Sequence, residues 1–156
     1  MAIDTSFIGK TYPPSTYEVG REKIKEYAHA IKNPDPHYID DEFAKKSKYG
    51  TIIAPPTFAV VFGAHLIKPV FFDNELKLNL AMLVHGEQEL EFYEVVKAGD
   101  TITTTATIID IKNKEKLDVI SVELKSKNQH GRDVCRGVYT FVIRITKVYT
   151  PRHTSL

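Results

Sequence analysis

Pro55-Pro56-Thr57-Phe58-Ala59-Val60-Val61-Phe62-Gly63-Ala64-His65-Leu66 is the stretch that decides the fold. Two prolines open it, and proline suits the first turn of a helix, where the missing N–H has no partner to lose. From Phe58 to Leu66 the residues are apolar on nearly every side, and a helix apolar all round is expected to be buried. Gly63 predicts close packing of this helix, with another backbone as the expected neighbour. His65 reads as a histidine of the core or its boundary with a satisfied ring.

Upstream, Ser15 to Val19 predict a short extended segment, and helical signals begin at Gly20-Arg21. Ile24, Tyr27, Ala28 and Ile31 fall at i, i+3, i+4 and i+7 and form one apolar helix face. Lys23, Lys25, Glu26 and His29 take the solvent side. Asn33-Pro34 stops the helix, because proline disfavours the helical conformation of the residue before it. Pro36 is expected to keep the next segment irregular. A short polar helix from Asp41 to Ser47, capped by Asp40 or Asp41, follows.

Downstream the period changes from helical to alternating. Leu90 and Phe92 share one face of a strand, and Glu89 and Glu91 the other. Ala98-Gly99-Asp100 marks a turn. Residues 101–111 are rich in threonine and isoleucine, a strand composition. Residues 113–116 predict a hairpin connection. Ile120, Val122 and Leu124 alternate with Ser121, Glu123 and Lys125, and residues 128–133 turn again. Tyr139, Phe141, Ile143 and Ile145 then alternate with Val138, Thr140, Val142 and Arg144. One buried helix followed by long antiparallel strands is an α+β pattern, a sheet wrapped around a central helix in the hot-dog arrangement. Such a sheet leaves an edge strand open, so the chain is expected to dimerise. Residues 1–148 form the expected single domain, and residues 149–156 a polar tail that frays.

Several classes are excluded by the bulk of the sequence. Net charge is +1 with no basic block, which argues against nucleic acid. No apolar run reaches the roughly 18 residues of a membrane span. The first residues lack the basic and apolar regions of a secretion signal. Cys135 is the sole cysteine, so an intrachain disulfide is impossible and a cytoplasmic setting is expected. Its place in a strand predicts packing rather than nucleophilic chemistry. The histidines lack metal-ligand spacing and no glycine-rich phosphate loop is present, so neither metal nor cofactor is expected.

Four landmarks stand in order over residues 8–147: the Tyr17–Ile31 segment, Asn33-Pro34-Asp35-Pro36-His37-Tyr38, Ile53-Ala54-Pro55-Pro56-Thr57-Phe58, and Val84-His85-Gly86-Glu87-Gln88-Glu89-Leu90-Glu91-Phe92 leading to Ala98-Gly99-Asp100. Together they resemble the MaoC-like dehydratase family, in particular its N-terminal, FAS1-type hot-dog domain. Within it they are similar to the non-catalytic subunits of two-subunit (3R)-hydroxyacyl-thioester dehydratases. The resemblance implies reversible addition of water to a trans-2-enoyl thioester carried on coenzyme A or an acyl carrier protein. In active members an Asp and a His of Gly-Asp-x-Asn-Pro-x-His hold a water and move its protons. A glycine N–H at the start of the central helix stabilises the thioester oxygen.

This sequence departs from that pattern at three positions. Asn33 stands at the Asp position, Tyr38 at the His position and Pro56 at the glycine. An amide does not exchange protons usefully, a phenol titrates near about 10, and proline has no N–H. The resemblance therefore implies a subunit that shapes or binds the acyl chain through Pro55, Pro56, Thr57, Phe58 and His85. A catalytic hot-dog partner would supply the Asp and His. Two alternatives stay open: a homodimeric acyl-thioester binding module without enzymatic activity, and a free-standing hydratase that uses Asp35 and His37. Each of these residues also has a plain structural reading. Asn33 is a helix stop, Tyr38 a packed aromatic, His85 a structural residue just before a strand, and Asp35 and His37 belong to a polar turn.

Overall fold

The computed structural model describes residues 2–145, so the tail expected at 149–156 lies outside the described residues. Strand β1 (Thr11–Glu18) leads into helix α1 (Arg21–Ala30), then two short helices, α2 (Pro36–Ile39) and α3 (Asp41–Lys46). A tight helical turn at Pro56–Phe58 starts the central helix α4 (Ala59–Phe71). Four strands follow: β2 (Leu83–Phe92), β3 (Thr101–Asn113), β4 (Leu117–Lys127) and β5 (Asp133–Arg144). They join β1 in one antiparallel sheet of order β1-β3-β4-β5-β2. This is the expected hot-dog architecture.

The alternation in the sequence becomes the two faces of the sheet. Ile120, Val122 and Leu124 of β4 and Tyr139, Phe141 and Ile143 of β5 are all buried on the side that faces α4. Their alternates, such as Ser121 and Thr140, pair across the outer face through their hydroxyls at 3.0 Å. α4 presses Leu66 and Val70 onto β1, β3 and β4, against Tyr12, Ala106 and Ile108. A second cluster joins Phe58, Ala59 and Phe62 to Val19 and Ile24 and to Ile102 of β3.

Local chemistry sets the boundaries. Gly20 precedes α1, whose Ile24 and Ala28 are fully buried. Ile31, expected on that face, lies beyond the helix end and is 41% exposed. Asp40 caps α3 by accepting the Phe43 N–H at 3.0 Å. Pro36 does not leave its segment irregular. It occupies the first turn of α2, where proline is tolerated, and Asp35 caps that helix. β1 runs longer than the short extended segment read from the sequence, across Pro13 and Pro14. It tolerates them because it is an edge strand with a bulge between Tyr12 and Ser15.

Two expectations for α4 need correction. Its burial is a stripe, not the whole circumference: Ala64, His65 and Lys68 are exposed and Val60 is half-buried. Gly63 makes room for side chains rather than a backbone. A Cβ there would sit 2.9 Å from the Tyr139 hydroxyl and 3.2 Å from Leu124. His65 is an exposed ring resting on Tyr17 at 5.4 Å, not a core residue.

The amino-terminal segment is tied to the far end of the sheet. The fully buried Asp118 carboxylate accepts the Ile3 N–H at 3.0 Å, and Asn113 donates to it at 2.8 Å and to the Ile3 carbonyl at 3.0 Å. A buried carboxylate with this many donors meets the cost of its own desolvation.

Candidate functional site

A cleft of about 290 Å³ opens at the start of α4. Three backbone hydrogen bonds build it. The Ile53 N–H donates to the His37 carbonyl (3.1 Å), Ala54 to Val96 (2.8 Å) and Ala98 to Ile52 (2.9 Å). They hold α2, the segment ahead of Pro55 and the segment after β2 side by side. Tyr27 of α1 fixes the helix start from outside: its hydroxyl donates to the Thr57 carbonyl at 3.0 Å and its ring meets Phe58 edge-on.

Tyr38, Tyr49, Pro55, Pro56, Phe58 and Phe62 line the cleft from one side, and Phe92, Val95, Val134 and Cys135 line it too. The lining is mostly apolar, with the phenols of Tyr38, Tyr49 and Tyr93, the Cys135 thiol and the Glu94 carboxylate as its polar groups, a composition suited to an apolar chain ending in a polar head. Burial shifts the Tyr38 and Cys135 groups. Burial raises the Tyr38 phenol, and the Asp35 and Tyr49 side chains add to the rise. Burial pushes the Cys135 thiol up to about 11, in keeping with a packing role. Pro55 and Pro56 bring no N–H to the helix start, so the donor an oxyanion needs is missing at both positions.

The candidate residues read from the sequence divide sharply. Tyr38, Pro55, Pro56 and Phe58 come together in the cleft. Thr57 faces away and holds Tyr27. Asn33 is exposed beyond the end of α1, its N–H donating to the Ala28 carbonyl at 2.9 Å. His85 lies inside β2 rather than before it. It stacks on Tyr139 at 5.8 Å and tilts onto Phe141 at 5.0 Å, in a separate groove of about 480 Å³ between α4 and the β5–β2 side of the sheet.

Asp35 and His37 do meet, but each other rather than the cleft. One Asp35 oxygen accepts the His37 N–H at 2.9 Å and lies 2.8 Å from ring Nδ1. Those two bonds lower the carboxyl below its ordinary range. The His37 ring packs edge-on against Phe43 and Tyr49 and does not line the cleft.

Tyr49, Phe62, Phe92, Val95, Val134 and Cys135 were missed by the sequence reading. For Phe92 and Cys135 the signal was present in the strand alternation, since each shares a strand face with residues that point toward α4. Tyr49 and Val95 sit in loops, where no period reports direction. Among the described residues, no three His, Cys, Asp or Glu side chains gather as metal ligands would, and no helix is long and apolar enough to cross a membrane.

Comparison with known proteins agrees with this fold. The family described as FAS1-like, dehydratase domain region matches residues 6–136. A UPF0336 protein of Streptomyces avermitilis is 41% identical over 145 residues, covering 92% of this chain and 97% of the relative. Another, from Saccharopolyspora erythraea, is 41% identical over 147 residues, 94% of each chain. Among solved structures, the C-terminally truncated HadBC (3R-hydroxyacyl-ACP dehydratase) complex of Mycobacterium tuberculosis superposes with a TM-score of 0.76 at 24% identity, over 87% of this chain and 96% of that one. The R-hydratase PhaJ1 of Pseudomonas aeruginosa gives 0.68 at 16% identity, over 96% and 92%. At those identities the structures attest a shared fold. The family match across residues 6–136 and relatives 41% identical over nearly the whole chain show that this protein belongs to the FAS1-like dehydratase-region family, alongside the UPF0336 proteins.

Proposed function

We propose that this chain is the acyl-binding hot-dog subunit of an (R)-specific enoyl-thioester hydratase, or (3R)-hydroxyacyl-thioester dehydratase, whose Asp and His come from a partner chain. One observation carries the reading. The cleft at the start of α4 presents Tyr38, Pro55 and Pro56 where the resemblance implies a histidine and an N–H donor, and burial moves Tyr38 further from a working base. Addition of water to an enoyl thioester needs a group that exchanges protons near neutrality and a donor for the developing oxyanion. At the positions the resemblance names, this cleft supplies a phenol and two prolines in place of those groups. The HadBC complex offers a precedent for two such chains acting together. The substrate is then an acyl-CoA or acyl-carrier-protein thioester, bound with its chain along Phe58, Phe62 and Phe92.

The test is hydration of crotonyl-CoA by the purified chain. The expected rate is at or near the uncatalysed background, and robust turnover by the homogeneous protein overturns the reading. A second reading has one observation behind it. The 2.8 Å contact between Asp35 and His37 Nδ1 sets a carboxylate against one ring nitrogen, as an acid that positions a base does. On that reading turnover is present and His37→Ala abolishes it, while Tyr38→Phe does not. A homodimeric binding module would bind acyl-CoA, self-associate and show no turnover with any hot-dog partner.

A further inference from the structure

Ala59, Phe62 and Cys135 line the cleft at the start of α4, and they also line a narrow gap of about 10 Å³ between α4 and the sheet. Tyr139 lines that gap and the groove of about 480 Å³ as well. Cleft, gap and groove follow one another in the same order along two elements. On β5 the lining residues run Cys135, Gly137, Tyr139 and Phe141, and on α4 they run Ala59, Gly63, Ile67 and Phe71.

Two glycines make the space at the middle of this series, and one side chain fills it. Cys135, Gly137 and Tyr139 are buried at alternate positions of β5, and Gly137 leaves the face bare between the other two. Gly63 does the same on α4. A Cβ on Gly137 would stand 2.9 Å from the Tyr139 ring, and one on Gly63 2.9 Å from the Tyr139 hydroxyl. A methyl at either position would compete with the tyrosine for the same volume. On the groove side His85 stacks on the ring at 5.8 Å. A space of about 10 Å³ is at the lower limit for a single water. An alkyl chain that reaches Cys135 therefore has no room to advance while Tyr139 keeps its place.

We propose that Tyr139 is the end wall of the acyl cleft: it sets the longest chain the cleft accepts and keeps that chain out of the groove behind it. The inference rests on the acyl-binding reading above and adds a length limit to it, so that the preferred ligand is a short-chain acyl thioester.

Calorimetric titration of the full chain with saturated acyl-CoAs, from butanoyl to dodecanoyl, tests the wall. Each methylene buried in the cleft should tighten Kd by about fourfold, until the chain meets its stop. In the wild type that stop should fall within the series. Tyr139→Ala should remove it: dodecanoyl-CoA should bind the variant at least about tenfold tighter than the wild type, and butanoyl-CoA should bind both within about twofold. Circular dichroism and a urea melt check that the variant folds. Tyr139→Leu keeps more of the core filled but no longer reaches Gly63, and it carries the test where the alanine variant does not fold. A wild-type Kd that keeps tightening to dodecanoyl overturns the inference, as does a stop that the folded variant leaves in place. Either result leaves the acyl-binding reading standing, whereas a wild-type chain that binds no acyl-CoA of any length overturns both.

Discussion

At β1 the sheet's edge reads Tyr12-Pro13-Pro14-Ser15; at β2, the opposite edge, it reads Glu87-Gln88-Glu89-Leu90-Glu91. The first is sealed by covalent structure. Two prolines remove N–H donors, a bulge breaks the ladder, and α4 lies over the β1 half of the sheet with Leu66 and Val70 against Tyr12 and Ile108. The second also carries a bulge, between His85 and Glu87, but it holds no proline, its groove is uncovered among the described residues, and its guard is electrostatic. A proline guard repels every strand alike. A row of carboxylates repels acidic strands and attracts basic ones, so it discriminates between partners. One sheet therefore ends in a proline-broken edge on one side and an acidic edge on the other.

The largest test of this contrast falls on the closed half. Ile108 is fully buried under α4, and Ile108→Ala should lower the unfolding free energy by about 2–5 kcal/mol, read as a fall in the urea midpoint. A loss below about 1 kcal/mol would mean that the β1 half is not the packed one.

Next in size is the polar clasp that holds the same edge. The Tyr12 hydroxyl donates to Asp73 at 2.7 Å, and Lys10 pairs with the same carboxylate at 2.7 Å. Burial pushes the Asp73 carboxyl up, but the hydrogen bonds from Lys10 and Tyr12 outweigh it and hold the group below its usual 3.8. A carboxyl lowered in the folded state stabilises the fold above the unfolded-state value, and that contribution disappears as pH falls through the folded value. Asp73→Asn should therefore cost about 1–2 kcal/mol at neutral pH, with the gap closing below roughly pH 4. Denaturant melts of both proteins at pH 7 and pH 3 check it, and a gap that widens in acid refutes it.

The smallest effect is expected at the open edge. Val84 is 59% exposed on β2, so Val84→Ala should move the stability of the isolated chain by no more than about 0.5 kcal/mol. A loss of over about 1 kcal/mol would show that the isolated chain already covers this edge.

The strands were legible because half-buried sheets write their two faces into the sequence, as Ile120-Val122-Leu124 and Tyr139-Phe141-Ile143 do here. The start of α4 was legible for a similar reason: Pro55 and Pro56 fit few other places. β1 was harder to see, since its prolines argue against a strand unless the edge position is known. Uniform apolarity in α4 predicted burial on all sides and could not reveal that one side, with Ala64, His65 and Lys68, is exposed. In the candidate site, Tyr38, Pro55, Pro56 and Phe58 were legible through their place in a family pattern. Tyr49 was not, because loops carry no period. His85 and Thr57 were drawn to the site by the family resemblance, and the alternation of β2 and the turn at Pro56–Phe58 point them elsewhere.

The tie between Ile3 and Asp118 bears on how the chain is made. Its two ends are separated by 115 residues, and β1 likewise finds its partner only in β3. During synthesis, which proceeds from the amino terminus at about 5–20 residues per second, Ile3 and β1 emerge ahead of Asp118 and β3 and stay without those native contacts until most of the sheet has followed. Pro13 and Pro14 sit within that waiting stretch. The same two residues that close the finished edge also deny a passing strand a regular backbone to pair with while the ribosome is still at work.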